Sequence, residues 1–249
     1  MKVIKLSAID STNKYLKINF LDSIKNDVHI AYSFNQTNGK GQRGNSWVSK
    51  PDKNLAFSIS FSPNNFKIKN QFIINIVFSL FILNTLRSLN IPDIKIKWPN
   101  DIMSGNKKIC GILNELKIKG SKIEMIIIGF GLNINQEGFE NLPNASSLKI
   151  LKGINYDLNS LTMLFIENLK KYNYLDFLIN PQLNNDIDNF LSLYKKNLFG
   201  LNKTFKFTDT KNNYFFGKIS DVDKEGVLKI KKDDDSFEYY NFHEIKMIY

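Results

Sequence analysis

Apolar residues recur along this 249-residue chain with two different periods, and the switches between them mark out its elements. Residues 3–6 alternate as a short strand, and Asp10 and Ser11 are placed to cap a helix running to about Phe20. Residues 28–34 and 55–61 predict strands on either side of a glycine-rich stretch. Apolar positions at helical spacing fill 71–89, and Asn90-Ile91-Pro92 ends that helix. Strands follow at 94–98, 108–117 and 123–128; residues 157–177 and 182–195 then read as helices divided by Asn180-Pro181. After Gly200 the runs shorten. Residues 204–207, 214–220, 227–231 and 237–242 are strand-like and joined by turns such as Asp223-Lys224-Glu225-Gly226. That spacing suits a small barrel of about fifty residues. The elements together predict an α+β architecture: a mixed β-sheet packed with helices over residues 1–197, and a small C-terminal β-barrel over 198–249.

Composition narrows the classes of function. Hydrophobic residues make up 43% of the chain, enough for a sizeable core. The net charge of +10 raises the question of nucleic acid, but the lysines are spread over the whole length and predict a solvated surface, not a patch. Acids also crowd the terminal segment, among them Asp221, Asp223, Asp233, Asp234 and Asp235. No nucleic-acid partner is therefore expected. Cys110 is the sole cysteine, which fits a reducing cytoplasm, and its apolar neighbours predict a buried core thiol. His29 and His243 lie far apart, so no Cys/His metal cluster is expected. Residues 1–10 lack a signal-peptide core, and the longest apolar stretch, 72–83, is broken by Asn75 and Ser79. No membrane span is expected.

The chemistry concentrates in Gly39-Lys40-Gly41-Gln42-Arg43-Gly44-Asn45-Ser46-Trp47, preceded by Gln36. Three glycines let backbone N–H groups approach a ligand, and two cations add charge at the same place. Such a loop fits an anion, best a phosphate. The chain has only two arginines, Arg43 and Arg87, against 32 lysines, and one of them stands here.

Three further segments matter beside this loop: Asp10-Ser11-Thr12-Asn13, then Lys97-Trp98-Pro99-Asn100-Asp101 followed by Lys108-Ile109-Cys110-Gly111-Ile112-Leu113, and finally Gly129-Phe130-Gly131-Leu132-Asn133-Ile134-Asn135. In this order the four segments resemble the biotin–protein ligases, which activate biotin with ATP and attach it to a lysine of a carboxylase carrier domain. The resemblance runs to about residue 148, and the terminal barrel has the length and position of that family's small C-terminal domain. It implies a core like that of the class II aminoacyl-tRNA synthetases, shared by biotin and lipoate ligases, with an SH3-like barrel behind it.

The resemblance also implies roles. Biotin and ATP would form biotinyl-5′-adenylate and pyrophosphate, and a carrier lysine would then displace AMP. Lys108 sits at the family's catalytic lysine, where it would bridge the biotin carboxylate and the α-phosphate with Arg43 adding positive charge, while Asp101 would orient the incoming lysine amine. Ser11, Thr12, Gln36, Trp98 and Gly111 match biotin-pocket positions. Gly39, Lys40 and Lys108 would serve both ligands. Gly41, Gln42, Arg43, Gly44, Trp47, Asn100 and Asn133, in a Gly-Phe-Gly-Leu-Asn turn, match nucleotide positions. Mg²⁺ would arrive with ATP, with Asp101 placed to touch it, and no metal cluster of the protein's own is implied. The implied partner is the biotin carboxyl carrier domain of acetyl-CoA carboxylase or a related carboxylase; monomer and homodimer are both compatible.

From the residues alone, other readings stay open. Ser11 serves equally as a helix N-cap, Trp98 before a proline as core packing, and Asp101 as the acceptor of an Asx-turn. Lysine at 40, glutamine at 42 and asparagine at 45 stand where the best-known form of the loop has arginines, which removes guanidinium forks. The terminal segment contains no arginine. The first motif begins at residue 10, which leaves no room for the winged-helix domain of the family's repressors, so a monofunctional ligase is expected. The nearest rival is a lipoate–protein ligase or octanoyltransferase; a rival of another class is a non-enzymatic nucleic-acid-binding module.

Overall fold

The computed structural model describes residues 1–20, 27–140, 142–180 and 187–249, and every side chain among them except that of Arg43. Its main sheet is built from β1 (Lys2–Leu6), β2 (His29–Ser33), β5 (Asn54–Phe61), β6 (Phe66–Lys67), β7 (Ile94–Lys97), β8 (Asp101–Ser104), β9 (Lys107–Lys119) and β10 (Lys122–Asn133). The order is β1-β2-β5-β10-β9-β8-β7, with β6 pairing on β10. Strands β1 and β2 run parallel and the other neighbours antiparallel, so the sheet is mixed, as expected.

The period-2 alternation of the central strands separates two faces. On one face Phe57, Ile59, Ile128 and Phe130 pack against helix α2 (Gln71–Ser88) and α4 (Leu158–Lys171), with rings such as Phe81 and Phe165 meeting edge to face. Helix α2 is apolar and long enough to cross a membrane by composition alone, and longer than the 72–83 stretch read from sequence. Most of it is buried between the sheet and the other helices, which explains why it has no polar face. On the opposite face Leu16 of α1 (Thr12–Phe20) covers Ala31, Met125 and Ile127. Beyond that cover the same face carries Ala56 and Ser58 on β5, Gly129 and Gly131 on β10, and Gly111 on β9, which the register sets side by side. Small side chains in adjacent rows leave a hollow.

The structure departs from the sequence reading at several elements. Residues 129–133, read as a turn, continue β10, because β5 and β9 supply a ladder on both sides of the glycines. Asn173 at φ +52° divides the predicted 157–177 helix into α4 and α5 (Tyr174–Ile179). Residues 182–186 of the next predicted helix lie outside the described residues, and α6 covers Ile187–Lys196. A short helix, α3 (Leu148–Lys152), was not foreseen.

The terminal segment forms an antiparallel sheet of β11 (Thr204–Asp209), β12 (Tyr214–Val222), β13 (Leu228–Lys232), β14 (Phe237–Tyr240) and β15 (Ile245–Ile248), in the order β14-β13-β12-β11-β15. The path of pairing is open at β14 and β15, not closed into a barrel, and β15 was missed because four residues carry too little alternation. Several of its acids fall in loops and turns (Asp223, Asp233, Asp234, Asp235), whereas Lys206, Lys218 and Lys229 share an outer face with exposed Tyr214, Phe216 and Tyr239. Linear order had mixed the two.

This sheet docks beside β7. The Trp98 indole N–H donates to the Gly226 carbonyl at 3.0 Å, and its ring packs on Phe242. Trp98 is therefore a seam residue, and the peptide bond that follows it to Pro99 is cis.

Candidate active site

The hollow opens into a cavity of about 410 Å³ that collects residues from far-apart segments. Of the residues singled out from sequence, Ser11, Thr12, Gln36, Lys40, Gly41, Gln42, Trp47, Asn100, Asp101, Lys108 and Gly111 line it. Trp98 does not; it lines a smaller pocket at the seam with the terminal sheet. Its bulk and its N–H are consumed by Phe242 and Gly226, so the apolar-wall expectation is replaced by core packing. The side chain of Arg43 lies outside the described structure.

The neutral end of the cavity is already hydrogen-bonded to itself. Gln36 Oε1 accepts from the Thr12 backbone N–H at 3.0 Å, and Thr12 Oγ1 lies 2.6 Å from Ser58 Oγ. Ser58 in turn donates to Asn13 Oδ1 at 2.6 Å, and the Asn13 amide donates to Glu115 at 3.0 Å. A side chain at 129 would come within 2.3 Å of Asn13 Oδ1 and 2.5 Å of Ser58 Oγ, so only glycine fits beneath this network. Ser11 does cap the first helix, accepting from Lys14 N at 3.3 Å, and it also lines the cavity. The two open readings of Ser11 describe one position.

The charged end is organised around Asp101. This residue opens β8, and its carboxylate lies between two ammonium groups, 2.6 Å from Lys108 and 3.7 Å from Lys97. The ion pairs replace the Asx-turn alternative. Burial holds the Lys97 ammonium below its ordinary range, against the pull of Asp101. Strand alternation separates the adjacent lysines: Lys107 turns outward to the Pro143 carbonyl while Lys108 points inward. The backbone of Lys108 is held by Asn144 and Ser146, and its ammonium lies 5.5 Å from the Trp47 ring centroid. Asn100 donates its side-chain amide to the Ile112 carbonyl and accepts from the Ile112 N–H with its own backbone, tying this turn to β9.

The glycine loop is a small hairpin, β3 (Gly39–Lys40) against β4 (Ser46–Trp47), closed by a single 3₁₀ turn. The Gly41 N–H is used internally by the Asn45 carbonyl at 2.6 Å, so that glycine's own donor is taken up by the hairpin. Gly44 supplies the left-handed conformation of the turn at φ +77°, and a side chain at Gly39 would strike the Trp47 carbonyl; neither glycine lines the cavity. The hairpin lays the Trp47 ring over the paired Gly111 and Gly131, where a Cβ would meet the indole at 2.9 and 2.5 Å. Asn133 lies outside the first cavity and lines a second one of about 300 Å³, which Trp47 and Lys108 border from the other side. Its amide donates to Ser146, while its buried Oδ1 faces no partner among the described residues.

Sequence reasoning missed Ser58, Lys97 and the pair His243 and Lys246, all of which line the main cavity. The serines in the otherwise apolar run of β5 were a usable signal for the first. Nothing in linear order could place residues 243 and 246 against residue 108. Cys110 is buried as expected, and burial pushes its thiol pKa up.

A mixed sheet with a polar pocket at one end of a trough and a lysine pair at the other is the arrangement of an acyl-activating ligase core, and the match to known families agrees with it. The chain belongs to the biotin/lipoate A/B protein ligase family, whose model matches residues 6–133. Among its relatives is the bifunctional ligase/repressor BirA of Escherichia coli K12, 29% identical over 236 residues, which are 92% of this chain and 68% of that protein. The biotin–[acetyl-CoA-carboxylase] ligase of Mycobacterium tuberculosis is 25% identical over 176 residues, 70% of this chain and 64% of that one. In fold the chain is similar to the biotin protein ligase from Aquifex aeolicus in complex with biotin and ATP, with a TM-score of 0.79, 22% identity, and coverage of 99% of this chain and 98% of that one.

Proposed function

We propose that this chain is an ATP-dependent biotin–protein ligase, which forms biotinyl-5′-adenylate and passes the biotinyl group to a carrier lysine. The observation that carries the reading is a single cavity with the Thr12–Gln36–Ser58 network at one end and Lys108, paired with Asp101, at the other. A ureido ring is neutral and needs matched donors and acceptors, which the first end offers; a carboxylate attacking an α-phosphate brings two anions together, which the second end offsets. The BirA and mycobacterial relatives carry ligase names, and the Aquifex aeolicus structure contains biotin and ATP.

In the first step the ammonium of Lys108 is placed to touch both anions, so the charge developing on the phosphoryl oxygens is met by a positioned cation. Lys40 from the hairpin and Lys246 from β15 border the same cavity and supply further cations in place of guanidinium forks. The second cavity, bordered by Trp47, Asn133 and Lys108, suits the adenine, with the Trp47 ring on one wall. In the second step Asp101 lies beside the acyl carbon's expected position and orients the incoming amine. For the metal, the described residues contain no group of three His, Cys, Asp or Glu side chains that could hold an ion, and both oxygens of Asp101 face ammonium groups. On this reading magnesium would arrive with the triphosphate. Residues 1–197 would be the catalytic unit and 198–249 a small unit that closes the cavity from one side. The acceptor is the biotin carrier domain of a carboxylase.

Pyrophosphate release with biotin and ATP, followed by mass spectrometry of a carrier domain offered biotin, lipoate and octanoate together, tests this. Biotinylation alone is expected. Lipoylation or octanoylation of the carrier, or no pyrophosphate with biotin, would overturn the proposal.

A further inference from the structure

Residue Tyr249 follows β15, yet its ring stands at the catalytic end of the molecule. It lines the second cavity together with Lys108 and Asn133. Its ring centroid lies 5.0 Å from the Lys97 ammonium, and the same ring meets Phe199 edge to face at 5.5 Å. Lys97 is one of the more buried lysines, its side chain 17% exposed, and the groups that stabilise its charge are this ring and the Asp101 carboxylate at 3.7 Å. A desolvated ammonium needs such compensation, and an aromatic face provides it without competing for the carboxylate.

The consequence reaches Lys108. Asp101 is shared between two ammonium groups, with one oxygen toward each. While Lys97 holds one oxygen, Lys108 is paired but not saturated, and its remaining N–H donors can reach an incoming anion. Without the ring, Lys97 loses its second stabilising group and withdraws, the carboxylate turns wholly to Lys108, and the lysine is tied down where it should be free to bridge. We infer that Tyr249 is a positioning residue for the first chemical step, acting through Lys97 and Asp101 on Lys108. This rests on the ligase reading above.

The test is a comparison of wild type, Tyr249→Phe, Tyr249→Leu, Lys97→Met and the double variant Lys97→Met/Tyr249→Leu. Two quantities are measured for each: the single-turnover rate of pyrophosphate release at saturating ATP, and biotin affinity by calorimetry. Tyr249→Leu should slow pyrophosphate release about tenfold, the scale of one desolvated cation–π contact, with biotin affinity unmoved. Tyr249→Phe keeps the ring and should stay close to wild type in rate. In the Lys97→Met background, removing the ring should change the rate no further. The inference is overturned if Tyr249→Leu keeps the wild-type rate, if Tyr249→Phe loses as much as Tyr249→Leu, or if the two losses simply multiply in the double variant. A parallel fall in biotin affinity would likewise overturn it, since that is the mark of general loosening. Should Tyr249→Leu fail to fold, Tyr249→Met read against Tyr249→Phe gives the same contrast. Wild type that releases no pyrophosphate with biotin removes the ligase reading and this one together; an active wild type with an unaffected Tyr249→Leu removes this one alone.

Discussion

The two ends of the main cavity are built on different physical terms. At the neutral end Thr12, Asn13, Gln36 and Ser58 bond to one another over a glycine, and nearly all of these groups are buried. Their positions are over-determined before any ligand arrives. At the charged end Lys108, Lys97 and Asp101 are held by ion pairs, and Lys40, Gly41 and Gln42 ride on a hairpin of two-residue strands. Hydrogen-bonded neutral groups are cheap to bury and can be rigid, whereas a cluster of cations repels itself, and Asp101 alone offsets only part of that repulsion. On the ligase reading, recognition of the uncharged part of the substrate would be pre-set, and the reactive part would be completed by the substrate's own charge.

The largest effect that would sharpen this contrast is expected for Lys108→Ala. Pyrophosphate release should fall by roughly a hundred- to a thousandfold, the scale of removing one positioned electrostatic group, with biotin affinity retained. Full activity in that variant would remove the catalytic assignment and with it the division between the ends. The opposite outcome is expected at the neutral end. Gly129→Ala would push a methyl group into Asn13 and Ser58, costing about 1–3 kcal/mol in thermal or denaturant unfolding and weakening biotin binding in calorimetry. Unaltered stability together with unaltered affinity would show that the network is not rigid. A somewhat smaller loss is expected for Ser58→Ala, about 1–2 kcal/mol, since two buried hydrogen bonds are removed, to Thr12 and to Asn13, while Asn13 keeps its bond to Glu115. If this variant weakened biotin more than Gly129→Ala did, the ranking of sterics over hydrogen bonding would be wrong. Smallest is Gln42→Arg on the hairpin, expected to slow escape of the adenylate by about threefold, the effect of one partly exposed added charge. Escape can be read by trapping free adenylate in a single turnover, and an unchanged rate would mean that the hairpin does not retain it.

Much of this was legible along the chain. The alternation 55–61 and the β-branched run 123–128 predicted the central strands, and the motif residues Ser11, Thr12, Gln36, Lys108 and Gly111 do line one cavity. Other features were misread for definite reasons. Gly129–Asn133 resembled a turn because glycine lowers strand propensity, but two flanking strands supply ladder bonds that outweigh it. Trp98 resembled a ligand wall because it stands inside a motif matched to the family's pocket, yet the terminal sheet claims its ring and its N–H. The glycine loop was read as an anion site without its shape, and the fold adds a tight hairpin and a Trp47 ring that lies on Gly111 and Gly131.

What the linear order of residues determined by itself is local: the period of each element, the small side chains at 56, 58, 111, 129 and 131, and the residue types that stand in each motif. Those follow from interactions within a few residues of one another. The fold alone decided that the row of small residues faces α1, so that a hollow forms there and not on the α2 side. It alone brought residues 243, 246 and 249 against a lysine at 108. Such contacts depend on which apolar surfaces bury against which, a choice made by the whole chain at once and carried by no segment of it.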